Sequence, residues 1–145
     1  MDKQLIMDIC DKLDTDVPAL KTIDIDFGQL TPADRPGVAF PCCLVDVAYG
    51  GCKDTDGQSQ QVTATITLRI AHNAFGKTST KSPQRSEALA AMDMIRNIHA
   101  SLQGWDNNGS FDPLTRTSAA PEKRSDGLRV FRITYQAQFI DSFDI

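Results

Sequence analysis

The sequence has no long apolar run, no closely spaced cysteine pair of the metal-binding or redox type, only two histidines, and fewer bases than acids. Nothing in it approaches the roughly 18–20 consecutive apolar residues that a bilayer-spanning helix needs. The opening Met1-Asp2-Lys3-Gln4-Leu5 has no basic region leading into an apolar one, so no secretory leader is expected. The chain is therefore expected to be made and kept inside a cell, or assembled into a particle there. Cys10, Cys42, Cys43 and Cys52 show no CxxC spacing, and neighbours on a strand such as Cys42 and Cys43 point to opposite faces. They read as small buried apolar side chains, with no metal site implied. A net charge of −4 and a pI near 5.0 argue against a dedicated nucleic-acid binder, which needs a large phosphate-neutralising surface. Internal repeats, low-complexity tracts and linkers are also missing.

What is present suits one domain spanning residues 1–145. A chain of 145 residues buries about 70% of its unfolded surface and needs no staple. Leu5, Ile6, Ile9 and Leu13 recur at helical spacing. In 20–30, Ile23, Ile25 and Phe27 alternate with Asp24 and Asp26, which predicts a half-buried strand. Thr31 to Gly37 reads as a loop. Val38 to Tyr49 is apolar on both faces, with Phe40, Cys42 and Leu44 on one and Cys43, Val45 and Val47 on the other. That run is expected to be buried on two sides, with Pro41 at an edge or bulge. Residues 50–60 read as a flexible hairpin tip. Val62 to Ile70 alternates cleanly, with threonines opposite the apolar side chains. Ser82-Pro83 opens a second helix whose apolar stripe is Ala88, Met92, Ile95, Ile98 and Leu102, with Gly104 as its cap. A turn-rich link over 105–113 leads to a short strand over 115–123. The last strand, over 128–140, turns Phe131, Ile133, Tyr135, Ala137 and Phe139 one way. The order implies an α+β fold: a mostly antiparallel sheet of four to five strands with two helices packed on one face.

No residue set assembles into a catalytic, cofactor-binding or metal-binding centre. Ala71-His72-Asn73-Ala74-Phe75-Gly76-Lys77-Thr78 loosely fits a phosphate loop but lacks its first glycine. Pro83 would also break the helix that must begin at the Gly-Lys-Thr. Asp24 and Asp26 have DxD spacing but no further oxygen ligands, and Asp54 and Asp56 lack the rest of a calcium loop. No nucleophile is paired in sequence with His72 or His99, and His99 near a helix end favours a partly charged imidazole. Two basic clusters remain: Lys77, Lys81 and Arg85, then Arg116, Lys123, Arg124, Arg129 and Arg132. The polar strand faces, Thr63, Thr65 and Thr67 with Thr134, Gln136 and Gln138, are poor in carboxylates and tolerate a protein neighbour.

Four phrases resemble those of small virion-assembly proteins of phages and prophages: Ile25-Asp26-Phe27-Gly28-Gln29-Leu30, Arg35-Pro36-Gly37-Val38-Ala39-Phe40-Pro41-Cys42, Ile66-Thr67-Leu68-Arg69-Ile70 and Phe111-Asp112-Pro113-Leu114-Thr115-Arg116. The element order is similar to the tail-terminator fold of long-tailed phages, and the resemblance covers roughly residues 20–140. It implies a structural, non-enzymatic virion component, assembled in the bacterial host cytoplasm. Such a protein forms a ring, six-membered in the family, that caps the tail tube at the head–tail junction. Its partners would be its own copies, the tail tube protein and head–tail connector proteins. DNA would pass through an acidic lumen without specific binding, and no membrane is involved. Closed rings need head-to-tail contacts. Lys77, Lys81, Arg85, Arg116, Arg129 and Arg132 on one side, and Asp24 and Asp26 on the other, are the candidate oligomer interface. The alternatives are a head-completion or adaptor protein, a small nucleotide-using enzyme built on Gly76-Lys77-Thr78, and a regulatory module for a small ligand.

Overall fold

The computed structural model describes residues 3–31, 37–72, 81–83 and 85–142. Helix α1 (Lys3–Asp16) leads to β1 (Thr22–Ile25), β2 (Cys42–Asp54), β3 (Ser59–His72), α2 (Arg85–Leu102), β4 (Thr115–Pro121) and β5 (Arg129–Ser142). The strands form one open sheet in the order β1-β2-β3-β5-β4, with β1 parallel to β2 and every other pair antiparallel. The α+β class and the mostly antiparallel sheet agree with the reading of the sequence.

Period-two patterning fixes the sheet's two faces. Val62, Ala64, Ile66, Leu68 and Ile70 of β3 are all fully buried. Ile66 lies between Val47 of β2 and Tyr135 of β5 in the ladder. On this face Cys43, Val45, Val47, Ile133, Tyr135 and Ala137 join Leu5, Ile9 and Leu13 of α1 and Met94, Ile98 and Leu102 of α2 in one core. Each such aliphatic side chain contributes about 1.5–3 kcal/mol by leaving water. The opposite face carries a smaller core at one end, made by Cys42, Leu44, Ala71, Leu128, Val130 and Leu30. The two-sided burial expected of the Val38–Tyr49 run has this origin.

The rest of that second face is polar. Thr63, Thr65 and Thr67 stand beside Gln138, Gln136 and Thr134 in register, and Gln61 donates to Gln138 across the strands at 3.1 Å.

Four details differ from the sequence reading. The alternation over 20–30 holds only at Ile23, which packs on the main core; Ile25 is 50% and Phe27 74% exposed. Strand β1 stops at Ile25, because the chain turns there. Asp26 accepts the Gly28 N–H, and the Gln29 side chain bonds the Phe27 N–H and the Ile25 carbonyl. The hairpin tip is far shorter than 50–60, since the β2–β3 ladder runs out to Asp54 and Gln60 with an irregularity between Tyr49 and Gly51. Backbone pairing needs no apolar side chains, so polarity concealed these strands. Cys52 lies on that extension and is exposed, unlike the buried Cys42 and Cys43. In α2, Met94 takes the buried position expected of Met92, which is 62% exposed.

Helix α2 begins three residues after Ser82, whose carbonyl accepts the Arg85 N–H. It ends where Gly104 takes a φ of 77°, a left-handed conformation that glycine adopts without strain. At the sheet's outer edges, β1 has only four residues, while β4 breaks register between Arg116 and Ser118 and ends at Pro121. No helix among the described residues is long and apolar enough to cross a membrane.

Candidate interaction site

Helix α2 presents Arg85, Leu89, Met92 and Arg96 at spacings of four, three and four, so they share one side of the helix. That side flanks an open groove of about 1310 Å³ between α2 and the β4–β5 edge. The groove's floor includes Ala88, Ile95, Val130 and Phe131. Leu89 is 42% exposed in its wall. Arg116 and Lys123 come from β4 and the turn after it, and Arg129 opens β5; all three line the groove. The two basic clusters of the sequence thus meet in one place through Arg85, Arg116, Lys123 and Arg129. Arg96 completes the set and belonged to neither cluster.

Among the described residues no carboxylate pairs with Arg85, Arg96, Arg116 or Lys123. Asp93 and Glu122 are the acids of the lining, and Glu122 is committed elsewhere. The groove therefore concentrates positive charge in a protein whose net charge is negative.

The other candidates are distributed differently. Arg132 bonds Glu122 at 3.0 Å. Asp26 faces Arg69 at 3.6 Å. Lys81 is exposed just ahead of α2, and Asp24 is exposed on β1, where its carboxylate accepts the Ile25 N–H. Lys77 lies outside the described residues, as does the Gly76-Lys77-Thr78 segment. Strand β3, which precedes it, is antiparallel to both neighbours, and α2 starts seven residues after Thr78. A phosphate loop needs its helix to begin within the motif.

Glu122 is the centre of an ionic knot that the sequence did not single out. Arg69 grips both its oxygens at 2.7 and 2.8 Å, Arg132 adds a contact, and Arg124 stands 3.6 Å away. Hydrogen bonds from Arg69 hold the Glu122 carboxyl down at about 2, against an ordinary 4.5. Arg124 also pairs with Asp126 and donates to the Leu30 carbonyl at 2.6 Å. The knot thereby closes the chain around Leu30 over the smaller core.

At the groove's far end His99 Nδ1 lies 2.8 Å from the hydroxyl of the fully buried Tyr135. Burial, and then the Arg116 charge, push the His99 pKa down, so the imidazole is favoured neutral, not partly charged as its helix-end position suggested. Burial likewise pushes the Tyr135 phenol up. The pair is a satisfied polar contact at the core's rim. Tyr135→Phe is expected to cost about 1 kcal/mol of stability, read by urea denaturation. Among the described residues no cluster of His, Cys, Asp and Glu is arranged to hold a metal ion.

A face on which Arg85, Arg96, Arg116 and Lys123 surround exposed apolar side chains suits protein contact. Residues 2–142 match the family model for phage tail terminator proteins. The chain belongs to the phage tail terminator family. No curated protein matches it. Membership makes it a structural component of the phage virion that works through other tail and head proteins.

Proposed function

We propose that this protein is the terminator of a long-tailed phage. In this reading six copies, each one domain over residues 1–145, form a ring on the tail tube at the head–tail junction. The ring stops tube growth and offers connector proteins a docking face. The copies assemble in the bacterial cytoplasm, and DNA passes through the lumen without specific binding, since like charges repel. The family match over almost the whole chain carries this reading, and the unpaired cations of the groove support it.

Size-exclusion chromatography with light scattering should give six times the 15.9 kDa chain mass at high concentration. Phage particles made without the protein should carry tails of uncontrolled length. A protein that stays monomeric, with tails of normal length in its absence, would be incompatible with the proposal.

A further inference from the structure

Of the six large apolar side chains left exposed among the described residues, four fall into two patches. One is the groove, with Leu89 and Met92. The other is the end of β1, where Ile25 and Phe27 are exposed and Phe27 lines the same shallow hollow as Asp24. The patches carry opposite charge. Leu89 and Met92 sit among Arg85, Arg96, Arg116 and Lys123. Around the second patch Asp11, Asp14 and Asp24 are exposed, against the exposed cations Lys3 and Lys21. Met7, Asp11 and Asp14 share one side of α1 at spacings of four and three. Burial raises the Cys10 pKa, and the charges of Asp11 and Asp24 raise it further. Strand order sets β1 and β4, which carries the groove's Arg116, at opposite edges of the sheet, about 19 Å apart at the spacing of paired strands. A patch that complements a different patch of the same molecule makes a head-to-tail contact, the type from which closed rings are built.

We propose that the β1 edge of one copy, with Phe27 as its central anchor, docks into the groove beside α2 of the next copy. Asp24 and Asp11 then face Arg96, Arg116 and Lys123 across the contact. Burying an exposed aromatic beside charge pairs is the pattern of an interface hot spot. The inference rests on the ring reading and names its two surfaces.

Its test uses the full chain in three variants, followed by light scattering across a concentration series. Phe27→Lys disables the edge, and the double variant Arg96→Glu, Arg116→Glu disables the groove. Ile140→Lys alters an exposed apolar residue that is in neither patch. The edge and groove variants should each need at least about tenfold more protein for half assembly, the loss of one central anchor. Ile140→Lys should assemble like the unaltered chain. All altered positions are exposed, so far-UV circular dichroism should be unchanged. Mixed one to one and chemically cross-linked, the edge and groove variants should give dimers and no larger species, since one intact edge meets one intact groove. An unaltered chain that remains monomeric defeats the ring reading and this inference together. An oligomeric unaltered chain with unimpaired edge or groove variants, or one impaired equally by Ile140→Lys, overturns the inference and leaves the ring standing.

Discussion

Glu122→Gln should lower the free energy of unfolding by about 2–3 kcal/mol at neutral pH. The carboxylate's side chain is only 16% exposed and is gripped by Nε and Nη2 of a similarly covered Arg69. Glutamine keeps the shape but removes the charge, leaving Arg69 half-buried with Asp26 at 3.6 Å as its remaining acid. A drop from 4.5 to about 2 sets an upper bound of about 3.4 kcal/mol, which residual solvent access reduces. The exposed Arg132 adds little. The sign with pH follows from the lowered value. Above about 4.5 the folded and unfolded carboxylates are both ionised and the full contribution is present. As pH falls from there towards about 2 the unfolded state takes up the proton first, and the contribution is lost. Urea denaturation at several pH values should therefore show the gap between the unaltered chain and the variant narrowing in acid. A gap that stays constant down to pH 2.5 would show that the charge is not what stabilises.

Ile66→Ala should cost more, about 3–4 kcal/mol, lowering the melting temperature by about 10 °C. Ile66 is fully buried in the central strand, between Val47 and Tyr135, so the lost methyl groups leave a cavity that rigid neighbours on both sides do not fill. Thr65→Ala, one residue away on the polar face, should change stability by less than about 0.5 kcal/mol. Equal losses at the two positions would mean that the faces are wrongly assigned. Circular dichroism during thermal unfolding is sufficient to tell.

The same contrast explains what could be read from the sequence. Periodicity reports burial, so α1, β3 and β5 were legible wherever a continuous layer covers one face. It failed where cover ends. Ile25 and Phe27 alternate as a strand should, yet they lie at the sheet's edge, where the chain turns away. Met92 has the spacing of a core residue, but α2 borders an open groove there. The 50–60 segment looked like loop because its pairing is carried by backbone groups, which leave no mark on side-chain polarity. The groove's cations were half visible. Arg85 and Arg116 stand in clusters far apart in sequence, and only the placement of α2 beside the β4–β5 edge brings them to one groove. Arg96 was missed, though its signal was present: Arg85, Leu89, Met92 and Arg96 form one helical row of mixed basic and apolar character. Glu122 gave no local signal, because its partners Arg69 and Arg132 come from β3 and β5.

The modest outer strands bear on how many molecules can join. A sheet with long regular rims at both sides invites strand-by-strand growth without limit, as in a fibril. Here one rim is four residues long, and the other is interrupted near its start and closed by a proline that donates nothing. Main-chain zippering between molecules is thereby discouraged at either side. What remains for association is the side chains, whose fit dictates an angle at each joint, and a repeated angle is what makes a finite circle.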